Sequence, residues 1–194
     1  MLIPLIFNEQ INNLKPETTL FIIPSKSFST EETLYNEKKA IAWLGNKNCI
    51  TQHIIAVTAN RKKAMQYGIK IVLPIWEWVG GRYSLCSAIN LITAIGIGFE
   101  KFSELLQGAH AMDNHFQYSD FSKNLPILLA LLGIWNNNFL HISNLFFLVY
   151  SKNLELFVPH IQQLDMESKG KSIDTLGRAV NYKTGSIIWG GLGS

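Results

Sequence analysis

Short apolar runs alternate with longer mixed stretches along residues 1–90. Leu20-Phe21-Ile22-Ile23 is apolar at every position and partly β-branched, the pattern of a strand buried on both faces of a parallel sheet. After the polar stretch SKSFST, the segment TEETLYNEKKAIAWL places Leu34, Ile41 and Leu44 on one face and predicts a helix. Ser29 followed by Glu32 has the spacing of a capping box, which predicts that this helix begins there. His53-Ile54-Ile55-Ala56-Val57 predicts a second strand, RKKAMQYG a short helix closed by Gly68, and Ile69-Lys70-Ile71-Val72-Leu73 a third strand. Strand, helix, strand, helix, strand in this order predicts an α/β unit with right-handed parallel crossovers.

From residue 84 to about 140 the period changes to that of helices. Phe102, Leu105, Leu106, Ala109 and Met112 predict an amphipathic helix over 99–114. Pro126 suits the first turn of LPILLALLGIW, with Asn124 as its N-cap. LFFLVY at 145–150 and Ser186-Ile187-Ile188-Trp189 predict two more strands. The long apolar region from Leu125 to Tyr150 is broken by Asn136, Asn137, Asn138, His141 and Asn144. A membrane span needs roughly 20 mostly apolar residues, so the region predicts a buried core helix plus a strand. A glycine-rich turn after a parallel strand normally feeds a helix, yet Gly190-Gly191-Leu192-Gly193-Ser194 closes the sequence. With one helix before the first strand, the pattern reads as a middle piece of something larger.

Composition narrows the class. At 47% apolar and 16% charged residues, 194 residues can bury a substantial core, in one medium domain or two small or incomplete ones. A net charge of +3 is too small to imply a nucleic-acid partner, and Arg61-Lys62-Lys63 reads as a solvated helix start. Cys49 and Cys86 fit no zinc spacing and no disulfide framework, which suits a reducing cytosol. The start MLIPLIFNEQ has no basic region and no small-residue cleavage site, so it does not read as a signal peptide. His110 and His115 lack the i,i+4 spacing that would put two ligands on one helical face, so no metal site is expected.

Three places could carry chemistry. In SKSFSTEET a helix start combines unpaired backbone N–H groups with the hydroxyls of Ser25, Ser27 and Thr30 and the cation Lys26. This loop follows a parallel strand, where open α/β sheets hold ligands, and a phosphate suits it. Serines chosen simply as turn formers fit the same residues. In WEWVGGRYS, Arg82 follows Gly80 and Gly81 at the expected carboxyl end of a strand. Either the glycines make a tight turn and Arg82 pairs with a carboxylate, or they clear room for a ligand that Arg82 grips. In QQLDME, Glu167 could serve as a general base if its surroundings tuned it, and equally could be a surface acid.

The stretches SKSFSTEET, WEWVGGRYSLCSAIN, GAHAMDNHF, KNLPILLALLGIW, QQLDMESKGKSID and TGSIIWG together closely resemble signatures of the glucose-6-phosphate isomerase family. They occur in the family's order and at roughly its spacing, over about residues 12–190. The resemblance implies an α/β fold of sugar-isomerase (SIS-type) three-layer αβα sandwiches with parallel sheets, here as two partial domains. Residues 1–90 would be the second half of the first domain, 91–140 a helical connection and 141–194 the start of the second. It implies a cytoplasmic enzyme of glycolysis and gluconeogenesis that interconverts glucose 6-phosphate and fructose 6-phosphate through an enediolate. The expected partners are a sugar phosphate and, for the full-length family, a second copy in a homodimer. No cofactor, metal, nucleic acid or membrane is expected. By the same resemblance Ser25, Lys26, Ser27 and Thr30 hold the substrate phosphate, with Ser27 where threonine is common. Gly81 and Arg82 match the turn beside the sugar's C1–C2 end, Glu167 the proton-carrying base, and Gln163 a nearby substrate contact.

The resemblance also places the family's glycine-rich phosphate loop, ring-opening histidine and late lysine outside these 194 residues. Residues 144–158 depart from the family's usual proline-containing strand. Three readings of the chain by itself therefore stand: a catalytic piece of an isomerase, a non-catalytic sugar-phosphate binding module, or an inert remnant. Half of each sandwich being absent predicts exposed apolar surface.

Overall fold

The computed structural model describes residues 3–45 and 50–193; Cys49 and Ser194 lie outside the described residues. The chain divides into two compact units, Met1–Ser103 and Glu104–Ser194.

The first unit begins with α1 (Ile3–Ile11), followed by β1 (Phe21–Pro24), α2 (Glu31–Leu44), α3 (Ile50–His53), β2 (Ile54–Thr58), α4 (Arg61–Gln66) and β3 (Ile71–Pro74). The 3-10 helices Gly81–Cys86 and Ala88–Asn90 lead into α5 (Leu91–Ile97). The strands form one parallel sheet in the order β1-β2-β3, with Phe21 opposite Ile54 and Ile55 opposite Ile71. The middle strand is the most enclosed: Ile54, Ala56, Val57 and Thr58 are all buried. Of these, Ile54 and Ala56 pack with Ile23, Phe28, Leu44, Ile50, Ala64 and Ile69 in one core, and each large side chain there removes enough apolar surface to contribute about 2 kcal/mol. This is the α/β unit with parallel strands that the apolar runs predict.

Element ends differ from the sequence reading for local reasons. α2 starts at Glu31 with Thr30 as its N-cap, and no side chain caps it, so the Ser29–Glu32 capping box does not form. The Ser29 hydroxyl instead donates to Ser27 Oγ at 2.7 Å. β2 starts one residue late because His53 ends α3, its ring nitrogen Nδ1 lying 2.8 Å from the Thr19 carbonyl oxygen. β3 starts two residues late. Gly68, at φ 87°, ends the turn after α4 by donating to the Met65 carbonyl, and Ile69 still belongs to that turn through its N–H to Ala64 O. Ile69 is nevertheless buried, which is why it reads as strand.

α6 (Phe99–Tyr118) crosses the division between the units. The second unit continues with α7 (Leu125–Ile134), a π-helical turn Trp135–Phe139, β4 (Asn144–Val149), α8 (Phe157–Ile161), a π-helical turn Gln162–Met166, α9 (Glu167–Lys169) and β5 (Ile187–Leu192). β4 and β5 pair in parallel, Phe146 opposite Trp189, with their rings 4.5 Å apart. Asn124 caps α7 as expected, its Oδ1 accepting from Ile127 N, and Pro126 lies in the first turn. Gly190 and Gly191 do not form a turn. They continue β5, and a Cβ on Gly190 would overlap the Phe147 carbonyl oxygen across the ladder, so only glycine lets the two strands close here.

Two expectations about burial fail. Only Phe102 is buried on α6, while Leu105 and Met112 are exposed. α7 has no buried residue at all, with Leu129 69% exposed, so it is not a core helix here. The second unit supplies a two-stranded sheet and short helices, too few layers to cover an element that is apolar all round. No helix among the described residues is long and apolar enough to cross a membrane.

Candidate functional site

In the first unit, the chain leaves β1 through Ser25–Thr30, and this loop is fixed from beneath by the end of β2. Ser25 N donates to Val57 O at 2.9 Å, continuing the ladder past the strand, and Ala59 N donates to Lys26 O at 3.1 Å. Thr58 Oγ1 donates to the same Lys26 carbonyl at 3.0 Å and Asn60 Nδ2 to Ser27 O at 3.4 Å. Thr58 and Asn60 are thus the scaffold of the loop, and sequence reasoning missed them. The signal was present: a hydroxyl and an amide residue directly after an apolar run, at the carboxyl end of the central strand.

Phe28 anchors the loop. It is fully buried, its ring 5.9 Å from Tyr67, and it holds φ at 49°. A non-glycine residue in that region costs about 1 kcal/mol, which burial of the ring outweighs. The buried Ser25 hydroxyl accepts from Phe28 N at 3.2 Å, so Ser25 is a turn former whose own O–H remains to donate. Ser27 and Thr30 are exposed, and Lys26 is half-buried. Behind them stand the first N–H groups of α2, a helix of fourteen residues, with the positive end of its dipole facing the loop. Glu31 and Glu32 in the first turn suit that dipole and temper the field an anion would meet.

Arg82 lies on the 3-10 helix Gly81–Cys86, beyond the segment Ile75–Gly80, and not at the end of β3 itself. Its guanidinium carbon is 5.8 Å from the centre of the Tyr83 ring. Gly80 has φ −72°, and neither it nor Gly81 takes a positive φ, so the turn does not require glycine at either position. A Cβ on Gly80 would come within 3.1 Å of the Tyr83 ring, whereas one on Gly81 would meet nothing within 4 Å. Gly80 therefore makes room for Tyr83, and Gly81 leaves open space in front of the backbone.

In the second unit, Gln163 lies in the π-helical turn Gln162–Met166 and Glu167 opens α9 directly after it. The turn hangs on β5: Gln162 Nε2 donates to Ile188 O at 2.9 Å and Ile188 N donates to Met166 Sδ at 3.4 Å. Inserting one residue into a helix in this way re-aims the side chains that follow it. Gln163 and Glu167 both face solvent, Lys169 pairs with Asp165, and Lys171 Nζ donates to Glu167 O at 2.7 Å. Further along, Asp174 closes a tight loop by accepting from Leu176 N and Arg178 N. The Arg178 backbone N–H, ahead of its side chain, holds that carboxyl below its usual range.

The two histidines read for metal spacing serve as local connectors. His110 Nε2 lies 3.1 Å from Asn114 Nδ2, and His115 Nε2 accepts from Leu125 N at 3.0 Å. The asparagines that interrupt the long apolar region form a clamp: Asn137 Nδ2 donates to Gly185 O, and Asn138 exchanges two hydrogen bonds with the Lys183 backbone.

Comparison with known proteins agrees with the motifs. The family model described as phosphoglucose isomerase matches residues 4–194. A glucose-6-phosphate isomerase of Legionella pneumophila is 63% identical over 191 residues, covering 98% of this chain and 38% of that protein. One from Coxiella burnetii is 49% identical, covering 97% of this chain and 36% of its own length. The crystal structure of a glucose-6-phosphate isomerase from Chlamydia trachomatis superposes with a TM-score of 0.87 at 36% identity, over 96% of this chain and 37% of that one. This chain thus spans less than two-fifths of the length of these relatives. On the family model, which matches nearly its whole length, the chain belongs to the phosphoglucose isomerase family.

Proposed function

We propose that this chain carries part of the site of a cytoplasmic aldose–ketose isomerase, homodimeric when full-length, that interconverts glucose 6-phosphate and fructose 6-phosphate. Membership of a family whose relatives carry that name supports the reading. The observation that carries it is the Ser25–Thr30 loop, whose exposed hydroxyls and helix N–H groups are held ready by β2. There the phosphate oxygens accept from Ser27, Thr30 and the helix start, while Lys26 supplies charge. Residues 1–90 and 141–194 then belong to the family's first and second sugar-isomerase domains.

Each remaining residue has one task. Glu167, as carboxylate, takes the proton from C2 of the open-chain aldose. The C–H electron pair becomes the C1–C2 double bond, and the C1 carbonyl pair moves onto O1. Arg82, which stays protonated, holds the negative oxygen, and the open space at Gly81 lets the sugar approach. The carboxylic acid then returns its proton to C1 as the O2 proton passes to O1, leaving the ketose. Gln163 orients the sugar hydroxyls.

Binding is read by thermal shift. Fructose 6-phosphate is expected to raise the Tm of the purified chain, fructose to leave it unchanged, and Ser27→Ala with Thr30→Ala to abolish the shift. Equal behaviour of the two sugars would remove the phosphate loop from the account. A coupled isomerase assay separates catalysis from binding. A second reading, a sugar-phosphate binding module without turnover, is favoured by one observation: the loop and its scaffold lie wholly within the first unit. A Tm shift with no turnover selects it.

A further inference from the structure

Two carbonyl oxygens of the Ser25–Thr30 loop are taken up by the end of β2. The Lys26 carbonyl accepts twice, from Ala59 N at 3.1 Å and from Thr58 Oγ1 at 3.0 Å. The Ser27 carbonyl accepts from Asn60 Nδ2 at 3.4 Å. Thr58 is 1% exposed, and its oxygen also accepts from Asn60 N at 3.0 Å. Asn60 Oδ1 in turn accepts from Lys63 N at 3.1 Å and caps α4. One buried hydroxyl thus couples the serine loop to the start of α4. Peptide geometry turns this support into electrostatics. The peptide bonds of the described residues are trans, and across a trans peptide the C=O and the following N–H point in opposite directions. With the Lys26 oxygen drawn to β2, the Ser27 N–H points away from β2. Reversed, the same peptide unit would present its oxygen, the negative end of a dipole of about 3.5 D, where it now presents an N–H. For an anion at this loop the two arrangements differ in sign.

We propose that Thr58 and Asn60 are positioning residues for the substrate phosphate: by holding the Lys26 and Ser27 carbonyls against the end of β2, they fix the loop in the polarity that binds an anion. That role rests on the sugar-phosphate reading of the loop. Neither side chain needs to touch the ligand, since both act through the backbone of Lys26 and Ser27. Thr58 is the stronger support, with the shorter bond and the deeper burial, and half-buried Asn60 is the weaker. Threonine suits the place because its hydroxyl donates and accepts at once. Valine has nearly the same shape and does neither.

The test measures the dissociation constant of fructose 6-phosphate by calorimetry on the whole 194-residue chain, at a temperature where circular dichroism shows each variant folded. Thr58→Val is expected to weaken binding about tenfold. Thr58→Ser, which restores the hydroxyl, is expected to bind within about twofold of the unaltered chain. Asn60→Ser keeps an N-cap for α4 and drops the donor to Ser27, and is expected to weaken binding about threefold. A purely structural role predicts something else: a lower Tm for Thr58→Val with unchanged affinity of the folded chain. That result overturns the inference. So does Thr58→Ser binding as weakly as Thr58→Val, because shape and not the hydroxyl would then be responsible. If Thr58→Val does not fold, Asn60→Ser decides by itself, and unchanged affinity there overturns the inference too. Absence of binding by the unaltered chain is a different failure: it removes the phosphate-loop reading, and the positioning role falls with it.

Discussion

Glu37 is the residue whose environment and chemistry disagree most. It sits 1% exposed on the inner face of α2 with no hydrogen bond to either oxygen, and burial lifts its pKa from 4.5 to about 6. The folded state therefore holds a proton that the unfolded chain has released, between those two values. Below about 4.5 the carboxyl is neutral in both states and carries no penalty. As pH rises through 6 the charge must form inside the protein and stability falls, by about 2 kcal/mol at one and a half pKa units. Glu37→Gln is expected to recover that amount at pH 7.5 and almost none at pH 4.5, measured by urea unfolding at both pH values. A gain of equal size at both would mean that charge is not the cause.

Elements here are joined by single polar side chains at their ends, and Asn124 shows how much one can hold. Its Oδ1 caps α7 through Ile127 N, while Nδ2 donates to the Phe116 carbonyl of α6 at 2.7 Å, and the residue is 1% exposed. Asn124→Ala removes the cap on α7 and the bond to α6 from a buried side chain, at a cost of about 2 kcal/mol. Asn124→Asp keeps the acceptor and loses the donor, so its cost is expected to fall between the two. Circular dichroism during urea titration reads both, and an unchanged midpoint for the alanine variant would show that α6 and α7 do not depend on this junction. This cap was legible in the sequence, because Asn before Leu-Pro is a local signal. The bond back to Phe116 was not, since nothing near Asn124 specifies where α6 has run.

At the scale of the molecule, surface is in excess. The chain exposes 14054 Å² at 21.9 kDa. Two separate globules of half that mass would together expose only about 11,000 Å², so the excess lies within the units whatever their arrangement. Much of it is apolar: Trp78 is 79% exposed, Leu129 69% and Leu156 78%. Surface of this kind binds hydrophobic dyes and drives association. Strong anilinonaphthalene sulfonate fluorescence and concentration-dependent sedimentation are expected of the purified chain. A monomer that leaves the dye dark would show that these side chains find cover in solution.

The sequence by itself determined the elements and the family motifs. A period of two or of 3.6, a proline at a helix start and a glycine after a helix act within a few residues, where the chain needs no partner to express them. Thus the three parallel strands, the serine loop before α2 and the capped α7 could all be read in advance. Only the tertiary structure decided what depends on residues distant in sequence. It turned the Ser25 hydroxyl inward to Phe28 and set Thr58 and Asn60 beneath the loop. It drew Gly190 and Gly191 into β5 against Phe147, and it buried Glu37 while leaving α7 exposed. Burial and cross-strand fit are properties of what packs opposite a residue, and that neighbour is not encoded in the residue's own stretch of chain.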